Sequence, residues 1–171
     1  MSTPDSGRAA RPILPPLPLF PLQPIFARIV RRIAAENPSM FNRLGPWVGA
    51  SFIIDPVNLP FALHLVPDRD RPLLRAVSRR ALPAHVAHIS GRFLDLLELI
   101  DADLDGDALF FSRALVIEGN TEAVVSLRNA LDDIDGSVAE RVAAMFGPPG
   151  RATLAMLRRA GERARAREAR A

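Results

Sequence analysis

Residues 107–135 read DALFFSRALVIEGNTEAVVSLRNALDDID, and this stretch does most to decide the fold. Leu109–Phe111 is a short apolar cluster, and Ala114–Glu118 has the composition of a β-strand. Asn120 and Thr121 are typical N-cap residues. Apolar side chains then recur with helical spacing at Val124, Val125, Leu127 and Leu131. The stretch therefore predicts a strand followed at once by a capped helix.

Four short apolar runs upstream predict the remaining strands. They are separated by turn-forming residues at 55–58 and 67–70 and by Pro83. Because connections this short usually join antiparallel neighbours, we expect antiparallel pairing. The runs are Trp47–Ile54, Leu59–Val66, Leu73–Arg79 and His85–Ser90. A helical stripe follows them at Phe93, Leu94, Leu96, Leu97 and Ile100.

The N-terminal part is apolar but rich in proline. Between Pro12 and Ala27 the only polar side chain is Gln23, and six of these residues are prolines. A membrane-spanning helix needs about 20 apolar residues without such breaks, so this stretch is not one. It also lacks the helical core and cleavage site of a signal peptide. We expect an extended leader over residues 1–23.

A basic amphipathic helix is predicted from Pro24 to Asn37. Its apolar residues include Ile25, Phe26 and Ile29, whereas Arg28, Arg31 and Arg32 lie on the other side. Such a helix can lie in a lipid headgroup layer or pack on a protein core, and the pattern leaves both open. Pro24 suits the first helical turn, because its fixed φ is already that of a helix.

The chain divides into three parts by these patterns. Residues 1–23 form the leader, residues 24–135 the main domain, and residues 136–171 a C-terminal extension. In the extension, Val138–Phe146 predicts a short helix that Gly147-Pro148-Pro149-Gly150 ends. The Ala- and Arg-rich tail after residue 150 is helical by propensity.

Composition excludes several classes of protein. The 171 residues contain no Cys and no Tyr, which rules out disulfide scaffolds and thiol catalysis. The net charge is +3, and all 22 basic residues are arginines. Residues 91–140 carry three arginines against twelve acids, so the middle of the chain is acidic and both ends are basic. This distribution argues against nucleic acid. It suggests a membrane surface or an acidic partner, and it is equally explained by charges that only keep an apolar domain soluble.

No residue pattern predicts a metal, cofactor or catalytic site. Asp101–Asp107 resembles the start of a calcium-binding loop, but Ser112 stands where the bidentate Glu is required. The histidines are His64, His85 and His88, and on a strand the last two would point to opposite faces. We therefore predict no enzyme and no cofactor. The many aliphatic and phenylalanine side chains could fill a core or line a cavity for an apolar ligand.

The stretch 107–135 resembles the sterol carrier protein type-two superfamily. Within it the Phe110-Phe111 pair, the segment Ile117–Glu122 and the ending Asn129–Asp135 are similar to the bacterial ubiquinone biosynthesis accessory factor family UbiT. The Pro- and Leu-rich entry at 14–24 is similar as well. The layout matches over residues 12–135, and nothing in 136–171 does.

The resemblance implies an α+β fold in which a five-stranded antiparallel sheet, with helices packed on one side, encloses an apolar lipid tunnel. It implies a non-enzymatic, cytoplasmic accessory factor, peripheral at the inner membrane, that serves oxygen-independent (anaerobic) ubiquinone biosynthesis. The factor would hold isoprenoid quinone intermediates for partner enzymes, including iron–sulfur hydroxylation proteins. The expected lipid-binding residues are Phe93, Leu96, Leu97, Ile100, Phe110, Phe111, Leu115, Ile117, Val124, Leu127 and Leu131.

Two other readings stay open. The amphipathic helix supplies the expected membrane contact through Ile25, Phe26, Arg28, Ile29, Arg31 and Arg32. A chain with that helix and a solid core would act as a membrane-associated scaffold or adaptor, and one with an unselective cavity as a general phospholipid carrier. An enzyme acting on a lipid head group is a third class, against which the missing Cys, Tyr and paired His and acid residues count.

Overall fold

The computed structural model describes residues 19–100, 115–134 and 137–168. The six described helices are α1 (Gln23–Glu36), α2 (Met40–Leu44), α3 (Phe93–Ile100), α4 (Thr121–Asp132), α5 (Val138–Met145) and α6 (Gly147–Glu168). The five described strands are β1 (Phe52–Pro56), β2 (Ala62–Val66), β3 (Leu73–Val77), β4 (Ala87–Gly91) and β5 (Leu115–Gly119). Short 3₁₀ turns occupy Phe20–Leu22 and Gly45–Trp47. The chain is α+β, as expected.

The sheet is mixed, so the prediction of a wholly antiparallel sheet is wrong. The strand order is β3-β2-β1-β4-β5, and β1 pairs with β4 in parallel, Phe52 opposite Ala87. The other three pairings are antiparallel. The reason lies in the connection formed by residues 78–86. It returns the chain to the end of the sheet where β1 starts, so β4 enters beside β1 and runs the same way.

The strand positions agree with the sequence to within a few residues, except for β1. That strand begins at Phe52 rather than Trp47, because a 3₁₀ turn ends at Trp47 and Gly49 has a φ of 78°. A positive φ suits glycine and interrupts extended backbone. The Gly49 N–H donates instead to the carbonyl oxygen of Pro67 at 2.8 Å.

The two faces of the sheet differ in chemistry. Side chains of paired residues point to the same side, so the register sorts them. One face is apolar and consists of Phe52, Ile54, Leu63, Leu65, Leu74, Ala76, Ala87, Ile89, Leu115 and Ile117. The other face, named the polar face, combines the polar side chains of Asp55, His64, Arg75, His88, Ser90 and Glu118 with the apolar ones of Ile53, Ala62, Val66, Leu73, Val77 and Val116. The apolar face is the one that packs against the helices.

Helix boundaries follow local chemistry. The Asn120 side chain accepts from the Ala123 N–H at 3.0 Å, which confirms the predicted cap of α4. Asn37 ends α1 by donating from its side chain to the Ile33 carbonyl oxygen at 2.8 Å. The predicted break after α5 is also confirmed, since Gly147 has a φ of 65°. Pro148 and Pro149 then lie in the first turn of α6, where proline costs no hydrogen bond.

The core lies between the apolar face and the helices. Its fully buried side chains include Leu44, Phe52, Ile89, Val124 and Ile134. The core cluster extends to Val138 on α5, so the segment after residue 135 is packed into the same unit as the sheet. No helix in the described ranges is long and apolar enough to cross a membrane.

Candidate functional site

A cavity of about 590 Å³ lies between the apolar face of the sheet and the helices. This volume falls within the range of about 300–1,000 Å³ that ligand pockets occupy. The sheet contributes Ile54, Leu63, Leu65, Leu74 and Ile89 to its wall. The sheet side chains come from four adjacent strands, β1 to β4, because the register places them on one face.

The helices supply the rest of the wall. From α1 come Phe26, Ile29, Val30, Ile33 and Ala34; from α3 come Phe93, Leu96, Leu97 and Leu99. From α4 come Val124, Leu127, Arg128 and Leu131. From α5 and α6 come Val138, Ala139, Val142, Ala143, Pro149, Gly150, Thr153, Leu154 and Leu157. Further lining residues are Met40, Phe41, Pro67, Pro72 and Phe146.

Six of the expected lipid-binding residues lie on this wall. They are Phe93, Leu96, Leu97, Val124, Leu127 and Leu131. Leu115 and Ile117 are not among the described lining residues, because β5 is an edge strand whose apolar side packs into the core cluster. Phe110, Phe111 and the acidic stretch Asp101–Asp107 lie outside the described residues, as does the side chain of Ile100.

The predicted membrane-contact residues divide between the two sides of α1. Phe26 and Ile29 face inward and line the cavity, and the exposed fraction of Ile29 is 8%. Their inward position follows from helix packing against β3 and from the contact of the Phe26 ring with Phe61, 6.2 Å between centroids. Ile25, Arg28, Arg31 and Arg32 are exposed on the outer side.

The C-terminal extension completes the cavity, which the sequence did not indicate. Helices α5 and α6 pack closely at Gly150, where a Cβ atom would overlap the carbonyl oxygen of Ala143. Glycine therefore allows α6 to lie against α5 and to bring Leu154 and Leu157 to the wall. Arg158 on α6 donates to Glu140 on α5 at 2.8 Å and fastens the pair from outside.

The wall is almost wholly apolar. Among the described lining residues, Arg128 and Thr153 are the two with polar side chains. The Thr153 hydroxyl donates to the Pro149 carbonyl oxygen at 2.9 Å, so it is satisfied within its own helix. Arg128 interrupts an apolar stripe formed by Val124, Leu127 and Leu131. Sequence reasoning counted it only as a charge, although an arginine inside an apolar stripe was a signal that could have found it.

The opposite face of the sheet carries a hydrogen-bonded histidine. Arg75 Nε donates to His64 Nδ1 at 3.2 Å, so Nδ1 must carry a lone pair. The proton of the neutral ring is then on Nε2, which lies 2.8 Å from the Ser51 hydroxyl and donates to it. A serine nucleophile needs the reverse, with the hydroxyl donating to the ring. The Ser51–His64 pair is therefore not arranged for nucleophilic catalysis.

Burial lowers the pKa of His64, and the positive charge of Arg75 and the neighbouring His85 lower it further. The neutral ring is thus the favoured form. Its exposed fraction is 6%. Each of these effects opposes a second proton on the ring, which agrees with the hydrogen bond that Nδ1 accepts.

A second polar group on this face joins Asp55, Arg79 and His88. Arg79 donates to the Asp55 carboxylate at 2.7 Å and to the Pro56 carbonyl oxygen at 2.7 Å. The Nε2 atom of His88 lies 3.5 Å from Asp55 Oδ2, and its Nδ1 atom lies 3.4 Å from Glu118 Oε2. His85 precedes β4, so its ring contacts His88 at 5.8 Å instead of pointing to the opposite face as predicted. In the described part of the chain no group of three His or acid residues is placed to hold a metal.

The sequence and the fold of this chain are similar to those of known proteins. The sequence model of the SCP-2 sterol transfer family matches residues 26–132. No curated protein matches the chain. A solved UbiJ-SCP2 ubiquinone synthesis protein is 18% identical with a TM-score of 0.48, covering 70% of this chain and 93% of that one.

Two sterol carrier structures are similar to this chain to a comparable degree. A crystal structure of sterol carrier protein 2 is 13% identical with a TM-score of 0.46, covering 63% of this chain and 94% of that one. The apo form of sterol carrier protein 2 from Yarrowia lipolytica is 9% identical with a TM-score of 0.43, covering 70% and 94%. None of these structures is close enough to bear on what the chain binds.

Proposed function

This chain belongs to the SCP-2 sterol transfer family, and we propose that it binds a lipid in the cavity under the apolar face of its sheet. The observation that carries the proposal is the cavity itself, about 590 Å³ with an almost wholly apolar described wall. A water molecule finds few hydrogen-bond partners in an apolar cavity. Each CH₂ group of a ligand that is buried there contributes about 0.8 kcal/mol to the free energy of binding. An apolar tail is therefore the ligand that fits.

We propose further that the lipid is an isoprenoid quinone intermediate of ubiquinone biosynthesis. The support is the similarity of residues 107–135 to the UbiT family, together with a cavity suited to an insoluble polyprenyl tail. In this role the chain performs no chemistry itself. It presents the intermediate to partner enzymes, among them iron–sulfur hydroxylation proteins, in the oxygen-independent branch of the pathway.

Native mass spectrometry of the purified protein, followed by organic extraction and lipid identification, tests both levels of the proposal. We expect a stoichiometric adduct that releases ubiquinone or a prenylated phenol. Phospholipid alone would support the lipid-binding function and overturn the quinone assignment. A clean apo mass with no uptake of added quinone would overturn the carrier function altogether.

A membrane-associated adaptor is the second candidate, and the outer side of α1 favours it. Arg28 and Arg31 are exposed there, and Phe20 just before the helix is 84% exposed. Basic residues beside exposed apolar ones are typical of a surface that lies on anionic lipid. Vesicle binding by a protein that takes up no lipid would favour the adaptor over the carrier.

A further inference from the structure

Three described side chains contain a buried nitrogen atom without a hydrogen-bond partner. They are Trp47 Nε1, His88 Nε2 and Arg128 Nη1. Trp47 packs against the core cluster, and His88 lies on the polar face of the sheet. Arg128 alone among these three lines the cavity. The unused donor therefore belongs to a residue of the cavity wall, although the Nη1 atom itself is covered.

The remaining contacts of Arg128 explain why it stays in an apolar wall. Its side chain is 12% exposed, and its Nε atom donates to both carboxylate oxygens of Asp132, at 2.9 and 3.1 Å. A guanidinium carries N–H donors and no acceptor, so Nη1 can only donate a hydrogen bond. A buried donor without a partner is costly, and a ligand oxygen placed beside it would remove that cost.

The charges of Arg128 and Asp132 restrict which kind of ligand oxygen can bind beside Nη1. Asp132 already compensates the positive charge of Arg128, and no other described lining residue is charged. An anionic head group would bring an uncompensated negative charge into an apolar cavity, which is strongly unfavourable. An uncharged oxygen accepts the same hydrogen bond without that penalty.

We propose that Arg128 anchors the head of the bound lipid by turning its guanidinium toward the cavity and donating from Nη1 to an uncharged oxygen, such as a carbonyl, phenol or ether oxygen. This inference rests on the proposed lipid-binding function, because it needs a lipid in the cavity. It makes Arg128 the residue that distinguishes an oxygen-bearing head group from a plain hydrocarbon. The apolar wall on α1, α3, α5 and α6 then receives the tail.

The test compares decylubiquinone with n-decylbenzene, a probe with the same tail and no oxygen. Affinities are measured by displacement of an apolar fluorescent probe, 1-dodecylpyrene, from the full chain. We expect Arg128→Met to weaken decylubiquinone about ten- to hundredfold, and to leave n-decylbenzene within about twofold because methionine preserves the packing. Arg43→Met is the matched control, since Arg43 also pairs with an acid, Asp133 at 3.4 Å, but is exposed. That variant should change neither affinity.

The other possible results would contradict either the anchoring role of Arg128 or the proposed lipid-binding function. Equal weakening of both probes by Arg128→Met would show a merely structural role, and no weakening of either would show that Nη1 does not meet the ligand. Both results overturn the anchor and leave the carrier function standing. Failure of the unaltered protein to bind any of the three probes, 1-dodecylpyrene included, would instead overturn the proposed function, and the anchor with it.

Decanoate separates an uncharged head from an anionic one. We expect the unaltered protein to prefer decylubiquinone, and Asp132→Asn to raise the affinity for decanoate about tenfold by leaving the arginine charge uncompensated. Tighter binding of decanoate by the unaltered protein, lost in Arg128→Met, would overturn the uncharged-oxygen assignment.

Discussion

At the scale of single residues, His64 is held in one tautomer by two neighbours. Arg75 donates to one ring nitrogen, and Ser51 accepts from the other. Protonation would give Nδ1 a hydrogen facing the Arg75 donor and break that bond. The lowered pKa of His64 and its two hydrogen bonds thus both favour the neutral ring.

This preference predicts a pH dependence of stability. The folded chain binds a proton at His64 less readily than the unfolded chain, whose histidine pKa is about 6.5. As the pH falls below that value, the free energy of unfolding should therefore fall, by up to about 1.4 kcal/mol per pH unit, until the lower folded pKa is reached. Urea denaturation between pH 8 and pH 5.5 measures this slope. His64→Gln should flatten it, and an unchanged slope in that variant would contradict the assignment.

Single residues also show what a sequence can and cannot predict. Asn120 was predictable as a cap because its role depends on the next three residues alone. Arg128 was predictable only in part. Its spacing places it within the apolar stripe of α4, but its place on a cavity wall depends on elements distant in sequence. The side chains of β1 to β4 on the wall were not predictable, because which face of the sheet meets the helices depends on contacts of the same kind.

At the scale of elements, the two sides of α1 have different surroundings. Its inner side lines the cavity with Phe26, Ile29 and Ile33, and its outer side exposes Arg28 and Arg31. If the outer side contacts anionic lipid, reversing both charges should weaken binding to phosphatidylglycerol-containing vesicles. At about 1 kcal/mol per basic residue, Arg28→Glu/Arg31→Glu should weaken it more than tenfold. Vesicle co-sedimentation at two salt concentrations measures the effect.

The matched control is Arg159→Glu/Arg163→Glu, which makes the same charge change on exposed positions of α6. An equal loss of vesicle binding in this variant would show a general effect of net charge and no contact surface on α1. Circular dichroism and melting temperature confirm that both double variants are folded.

Strands and helices were predictable as elements but not in their pairing. Local periodicity placed α1, α3, α4 and four of the strands to within a few residues, because it depends on neighbours in sequence. The parallel pairing of β1 with β4 joins residues far apart, Phe52 with Ala87. Short connections between consecutive strands carry no information about such a pair.

At the scale of the whole molecule, the cavity couples binding to stability. A ligand that binds only the folded chain adds about 2.7 kcal/mol to the free energy of unfolding at a hundredfold excess over Kd. Ala34→Phe should fill part of the cavity, because Ala34 lies on its wall. We expect this variant to lose most of the rise in melting temperature that decylubiquinone causes.

Ala35→Phe is the matched control, because Ala35 is the next residue on α1 and is exposed. It should keep the full ligand-induced rise. A full rise in Ala34→Phe as well would show that the lipid binds elsewhere. The melting temperatures without ligand separate a filled cavity from a damaged fold.

The described wall runs from Phe26 on α1 to Leu157 on α6. Until α6 has left the ribosome, Leu154 and Leu157 are missing from the wall, and the helices made earlier enclose the space only in part. The enclosed form of the cavity can therefore arise only after α6 has been synthesised. A lipid present earlier in translation would meet an incomplete cavity.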